Sequence, residues 1–371
     1  MINLVSIHAR IGWQGLRQSE FLDDGDIYLI TGTDFLNGII NFKSCKYINK
    51  ERYDQDKNIQ VCNEDILVTK DGSIGKIAYV SSINKKATLN AGVYRIRVES
   101  QNIYSKYLFH YLYGNRLIDY ANKQMTGGTI KHLNQSSIIN MPIFYPQLQE
   151  QRKIINLIDK IDERIDAQNK IIEDLNELKK SIIDDAFSNA DSSISLKEIL
   201  KERKSYSEKG LEYEHVTLSK EGIIPKGDRY DRDFLVTDES KEYKITKTND
   251  ICYNPANLKF GVICLNNYKD SIFSPIYVTF EVDKKYNPYY VSLFLTSDRF
   301  IKKILKYQQG TVYERISVNP DDFLKGSLPI IRNQESFINL IKNIENKCTI
   351  EKQLLKNYEI QKEYLLQNMF I

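Results

Sequence analysis

Residues 148–187 read LQEQRKIINLIDKIDERIDAQNKIIEDLNELKKSIIDDAF, forty residues without one Gly or Pro, near the middle of a 371-residue chain. Within the run, apolar residues recur at alternating steps of four and three: Ile154, Ile158, Ile161, Ile165, Ile172, Leu175 and Ile182, with Gln168 and Lys179 on the same line. So narrow a stripe is the seam of a coiled coil rather than the broad face of a core helix. At 1.5 Å per residue the helix is about 60 Å long, more than a single domain of ordinary size requires. A partner helix is therefore expected.

The chain itself supplies one. At an offset of 183, Ile155-Asn156-Leu157-Ile158 matches Ile338-Asn339-Leu340-Ile341, Ile161 matches Ile344, Lys179 matches Lys362 and Phe187 matches Phe370. The second copy carries its own stripe at Phe337, Ile341, Ile344, Leu355, Tyr358, Leu365 and Met369, with Cys348, Glu351 and Lys362 in register. The regions before each helix repeat as well. Tyr94 pairs with Tyr277 and Tyr107 with Tyr290 at the same offset, and small shifts pair Asp65-Ile66 with Asp250-Ile251 and Gly128-Thr129 with Gly310-Thr311. Two copies argue a pseudo-twofold repeat rather than a solenoid, which needs three or more units. The expected division is a globular domain over 1–146, a long helix over 147–190, a second globular domain over 191–331 and a second long helix over 332–371. Paired, the helices would be spacers that hold the domains apart; a duplicated dimerisation coiled coil is the alternative.

Both globular parts read as mixed α and β. DIYLITGTDF (26–35), DILVTKDGSIGKIAYV (65–80) and AGVYRIRVE (91–99) have the β-branched and aromatic alternation of short strands broken at Gly and Asp. YSKYLFHYLYGNRLIDYAN (104–122) and YYVSLFLTSDRFIKKILKYQ (289–308) have helical spacing, and each runs into a polar glycine loop, QMTGGTIKHLN (124–134) and QGTVYERIS (309–317).

Composition narrows the function classes. No stretch approaches eighteen apolar residues, and the first residues lack the basic, apolar and small-residue pattern of a secretory signal, so a cytoplasmic protein with no membrane span is expected. Cys45, Cys62, Cys252, Cys264 and Cys348 are irregularly spaced with no C-x-x-C pair, and His8, His110, His132 and His215 lie far apart, so neither a disulfide framework nor a metal site is indicated. Residues 1–146 carry 17 Lys and Arg against 13 Asp and Glu, and 192–331 carry 22 against 20, whereas 147–189 carry 7 against 10. The globular parts are the basic parts, which permits a nucleic-acid partner without requiring one.

Catalytic motifs fail on spacing. Gly72-Ser73-Ile74-Gly75-Lys76 has two residues between its glycines and Ile77 after the lysine, where a phosphate loop needs four and then Ser or Thr. A tight turn offering backbone amides and a lysine to phosphate remains open. Tyr253-Asn254-Pro255-Ala256-Asn257 shares two of four positions with the N-P-P-aromatic stretch of amino-methyltransferases, and no glycine-rich cofactor fingerprint accompanies it. No catalytic constellation is expected in this chain.

The whole pattern resembles the specificity subunits of type I restriction-modification systems. The resemblance is carried by GGTIKHLNQSSIINMPIFYPQLQEQRKIINLIDKIDERI (127–165), in which a glycine-threonine loop, a proline-bearing strand and an E-Q opening to a long helix follow one another. It is carried also by GLEYEHVTLSKEGIIPKGDRYDR (210–232), DICYNPANLKFGVICL (250–265) and SPIYVTFEV (274–282), which look like a second recognition domain. The second junction departs from it, reading RNQESFINLI in place of P-x-L-x-E-Q.

That resemblance implies an α+β fold: two mixed α/β target recognition domains joined by two long helices that pair as an antiparallel coiled coil. It implies a subunit that is not an enzyme. Each domain would read one half of a split double-stranded DNA target, and the chain would bridge two methyltransferase subunits, with restriction subunits completing an assembly that cleaves unmethylated phage DNA. No cofactor is expected in this chain; S-adenosylmethionine, ATP and Mg would be held by the partners. Base readout needs side chains at a groove with cations and amides on phosphates to set register. On that ground the candidates in the first domain are Lys70, Ser73 and Lys76 in the strand-turn stretch, and Thr126, Thr129, Lys131 and His132 in the glycine loop. Those in the second are Arg229, Arg232, Tyr253, Asn254, Asn257 and Lys259, with Gln309, Thr311, Tyr313 and Arg315 in the matching loop. The rivals are a specificity subunit of a methylation-only system, a coiled-coil adaptor whose globular ends bind proteins, and an enzyme that would itself bind S-adenosylmethionine.

Overall fold

The computed structural model describes residues 1–113, 116–123, 132–208, 212–226, 242–309 and 316–370. They fall into two compact units, Met1–Asn169 with Gln353–Ile371, and Lys170–Lys352. Each unit thus takes one globular part and a segment of both long helices, so compactness does not follow the linear division of the chain.

In the first unit a four-stranded antiparallel sheet runs Val5–Ala9, Val93–Val98, Ile66–Thr69, Ile77–Tyr79. The strand Ile66–Thr69 is buried at every position, because both of its faces are covered. Ile66 and Val68 pack with the helices Ser105–Leu112, Arg116–Lys123 and Gln135–Ile139, whereas Leu67 packs with Ala78, Val80 and a second sheet. Period-two alternation divides one strand between two cores. The second sheet runs Lys46–Tyr47, Ile27–Ile30, Lys86–Leu89, Gln60–Val61, its middle pair parallel.

The second unit has the same plan. Its first sheet runs Leu200–Glu202, Val278–Val282, Ile251–Tyr253, Ile263–Leu265, with Ile251 and Tyr253 facing one core and Cys252 the other. Its second sheet, Tyr206–Glu208, Glu242–Thr246, Ser271–Phe273, Glu214–Ser219, Gly222–Pro225, again contains one parallel pair between strands far apart in sequence.

The long helices span Leu148–Ser188 and Gln334–Asn368. Within the first unit they run antiparallel: Lys362 Nζ lies 2.6 Å from Asp162 Oδ1, Arg164 sits over the Tyr358 ring, and Ile158 shares a core with Leu366. Within the second they do so again, with Lys179 Nζ 3.4 Å from Glu345 Oε1 and the Phe187 ring 5.7 Å from that of Phe337. The seam predicted from sequence is covered. Each of its positions from Ile154 to Ile182 is buried or half-buried, the polar Gln168 and Lys179 included.

The E-Q junction has a physical role. Gln151 is fully buried, and its carboxamide accepts from Tyr104 N at 3.0 Å and donates to Asn102 O at 2.9 Å and Pro146 O at 2.8 Å. Three backbone groups, two just before the helix Ser105–Leu112 and one just before Leu148–Ser188, are thereby paired by one side chain. The second junction lacks this arrangement. There the Tyr290 hydroxyl donates to Pro329 O at 2.7 Å and accepts from Ile331 N at 3.2 Å.

Candidate nucleic-acid interface

In the first unit the strand Ile66–Thr69 turns through Lys70–Lys76 into Ile77–Tyr79. Gly72 and Gly75 adopt φ of +69° and +78°, which only glycine does without strain. A Cβ at Gly75 would also lie 2.2 Å from Ile118 Cδ1. Thr69 closes the turn from inside: Gly75 N donates to Thr69 O at 2.8 Å, Lys76 N donates to Thr69 Oγ1 at 2.9 Å, and Thr69 Oγ1 donates to Ser73 O. What the turn leaves outside are the exposed side chains of Asp71, Ser73 and Lys76, with Lys70 half-buried and its ammonium 5.3 Å from the Tyr94 ring centre.

The far end of the glycine loop docks on this turn. Leu133 N donates to Lys70 O at 3.0 Å, and His132 Nδ1 is hydrogen-bonded to Asp71 Oδ1. The structure therefore brings Lys70, Ser73, Lys76 and His132 to one edge of one sheet. Thr126, Thr129 and Lys131 lie outside the described residues.

In the second unit the equivalent turn runs from Asn254 to Val262, with Gly261 at φ +78°. Val318 N, just beyond the second glycine loop, donates to Pro255 O at 3.2 Å. Leu133 and Val318 stand 185 residues apart, as do Lys70 and Pro255, so the same hydrogen bond joins loop to turn in both units. Asn257 and Lys259 are exposed on this turn, Lys259 Nζ lying 4.9 Å from the ring centre of Phe260, itself 61% exposed.

Three candidates are corrected by their surroundings. Tyr253 is fully buried, its ring stacked 4.5 Å from Phe323 and its hydroxyl donating to Val318 O at 3.0 Å. Burial pushes its phenol far above the ordinary tyrosine value. It belongs to the core and holds the loop rather than offering a face to a base. Asn254 is 7% exposed, and its Oδ1 accepts from Ala256 N at 3.1 Å and Asn257 N at 3.3 Å, which makes it the anchor of the turn. Gln309 is exposed, but its amide is engaged with the buried Asp322 Oδ2 at 2.7 Å and its backbone pairs with Ser317. Arg229, Arg232, Thr311, Tyr313 and Arg315 lie outside the described residues.

Sequence reasoning missed Asp71, which the structure pairs with His132; the Asp71-Gly72 dipeptide is a turn signal that gave the position but not the partner. Among the described residues no group of His, Cys, Asp and Glu could hold a metal ion, and no helix is long and apolar enough to cross a membrane.

The protein-family profile described as "Type I restriction modification DNA specificity domain" matches residues 14–177, which include the whole Lys70–Lys76 turn and the first glycine loop. Residues 14–177 thus resemble a type I DNA specificity domain. The type I restriction enzyme MjaVIII specificity subunit of Methanocaldococcus jannaschii is 32% identical over 162 residues, 43% of this chain and 35% of that protein. The chain thus matches about a third of that relative's length. Fold similarity extends further than sequence similarity. The type I restriction-modification S subunit from M. genitalium covers 99% of this chain, and 94% of its own, at a TM-score of 0.51 and 15% identity. A chain from a type I R-M system solved for its assembly and conformational transition reaches a TM-score of 0.60 at 13% identity, covering 99% of this chain and 97% of its own. At such identities these likenesses establish the fold, and they extend it past the specificity domain to the second unit.

Proposed function

We propose that this chain is the DNA sequence-specificity subunit of a type I restriction-modification assembly, reading a split target with one recognition unit per half-site. The observation that carries this reading is the repetition of one recognition plan within a single chain. Both units have the same sheet order and the same hydrogen bond from glycine loop to strand turn, and the first copy bears the specificity-domain match. A duplicated reader on paired helices suits a target in two halves. The helices act as a coiled-coil spacer that sets the gap.

In this reading the subunit is not catalytic. It works in the cytoplasm, bridging two modification subunits that bind S-adenosylmethionine and methylate adenine, with restriction subunits that use ATP and Mg for phage defence. Lys70, Ser73, Lys76, Thr126, Thr129, Lys131 and His132 face one half-site. Arg229, Arg232, Asn257, Lys259, Thr311, Tyr313 and Arg315 face the other. Lysines on phosphate set register, while arginines in the loops read base edges.

The test is a methylome. This chain is expressed with its host's adenine modification subunit in a methylation-free strain, and modified adenines are mapped with and without it. A new split motif that depends on this chain is expected; its absence, with both proteins soluble, would favour an adaptor. Lys76→Ala is expected to weaken all sequences alike and reduce the log-log salt slope of DNA binding by about 0.9. Arg315→Ala is expected to relax the motif at one position.

A further inference from the structure

Thr69 and Asn254 stand 185 residues apart, the same spacing that relates Leu133 to Val318. Thr69 ends, and Asn254 directly follows, the strand that leads into the candidate reading turn, and both side chains are shut away from solvent, at 1% and 7% exposure. Each bonds inward to the turn. Thr69 Oγ1 accepts from Lys76 N at 2.9 Å and donates to Ser73 O, so one hydroxyl fixes two of the three residues of that turn whose side chains are exposed. Asn254 Oδ1 accepts from Ala256 N at 3.1 Å and from Asn257 N at 3.3 Å, ahead of exposed Asn257 and Lys259. The turns differ in length. Thr69 N donates to Lys76 O, closing over seven residues, and Asn254 N donates to Val262 O, closing over eight. A hydroxyl serves the shorter turn and a longer carboxamide the other.

We propose that Thr69 and Asn254 are positioning residues for sequence recognition, each fixing the shape of the turn that reads one half-site while touching no DNA. This rests on the specificity reading above and deepens it. The physical ground is that neither side chain can reach a base, yet each sets the backbone of residues that can. A buried side chain bonded to two turn groups restricts those groups to one arrangement, as Asx and hydroxyl turns do elsewhere. The Thr69 methyl also packs on Gly32, where a Cβ would stand 2.7 Å from it, so a glycine at 32 is what admits the side chain in this orientation.

The experiment maps the methylated motif of the full chain co-expressed with its modification subunit, using Thr69→Val, Thr69→Ser, Asn254→Ala and Asn254→Ser. Thr69→Val keeps the shape and the methyl but removes both hydrogen bonds. It is expected to lower discrimination by about tenfold at one half of the motif and leave the other half unchanged. Thr69→Ser, which keeps the hydroxyl, restores the motif. Asn254→Ala is expected to relax the opposite half, with Asn254→Ser intermediate. The untouched half is an internal control for folding and assembly. An unchanged motif in Thr69→Val and Asn254→Ala would overturn the inference, as would loss of both halves together or failure of Thr69→Ser to restore discrimination. If the unaltered chain directs no new motif, the specificity reading itself falls.

Discussion

The two units solve one problem with different residues. In each, a residue in the left-handed region, Glu64 at φ +70° and Asn249 at φ +71°, precedes a buried aspartate that opens the central strand. Asp65 Oδ2 accepts from Cys62 N at 2.8 Å, and Asp250 Oδ2 accepts from Lys247 N at 2.8 Å. Each carboxylate is then held by an arginine through two bonds, but not by the equivalent arginine. Arg97 reaches Asp65 from within the neighbouring strand Val93–Val98, whereas Arg203 reaches Asp250 from just past the edge strand Leu200–Glu202. The fold requires a paired charge at that corner and is indifferent to which strand supplies the cation. Burial, the largest influence, raises the Asp250 carboxyl above its ordinary value despite Arg203, while Arg203 itself is stabilised in its charged form by Asp250. We read the pair as ionised, because two short bonds to a guanidinium fork satisfy the carboxylate.

Removing the cation should therefore have the largest effect. Arg203→Ala leaves Asp250 buried without its partner and is expected to destabilise the second unit by about 3 kcal/mol. Arg97→Ala should cost less, since the Arg97 side chain is 36% exposed against 14% for Arg203 and water can replace part of it. Urea unfolding of the two variants side by side checks the order. Equal losses would mean that the two corners are interchangeable.

The junctions differ in the same manner and should respond with smaller losses. Gln151→Ala strips three backbone groups of their partner and is expected to cost about 2 kcal/mol, whereas Tyr290→Phe removes one hydroxyl and about 1 kcal/mol. Local hydrogen exchange at Tyr104 and Ile331 would separate the two. A Tyr290→Phe loss as large as that of Gln151→Ala would show that the second junction depends wholly on one hydroxyl.

The smallest expected effect is a pH dependence of the first unit. His110 is buried, and burial above all holds its imidazole below the ordinary value of 6.5; Asp159 Oδ1, 3.7 Å from Nε2, opposes the shift. Its counterpart at the 183 offset is Leu293. A histidine whose folded-state value is depressed binds its proton more readily when unfolded. The first unit should thus keep full stability above about pH 6.5 and lose part of it as pH falls below that. His8, in the same unit, is likewise lowered chiefly by burial, so His110→Leu should reduce the acid loss of the first unit rather than abolish it. Thermal unfolding of the unaltered chain and of His110→Leu from pH 7.5 to 5.5 reads the difference, and an acid loss undiminished by His110→Leu would overturn the prediction.

Much of this architecture was legible in the residues. The four-three stripe announced both long helices, because a seam leaves a period that no turn or strand interrupts. The offset announced the repeat, because both copies retain the residues that face their cores. The glycines at 72 and 75 marked a turn, because left-handed backbone leaves few other choices. Which strand residues face outward was not legible. Ile251–Tyr253 is three residues long, and a sheet covered on both faces shows no polar alternation. Tyr253 therefore looked as available as Lys259 until Phe280, Phe323 and Val318 closed around it.

The sequence by itself determined the repeat, the seam and the turns, since these depend on periodicity and on backbone restrictions carried by single residues. Only the tertiary structure decided which arginine meets which aspartate, that Asp71 holds His132, and that Asn254 and Gln309 bond inward. The arginine–aspartate and Asp71–His132 pairings join residues tens of positions apart, and whether Asn254 and Gln309 turn inward depends on the packing around them, so neither is set by the local sequence.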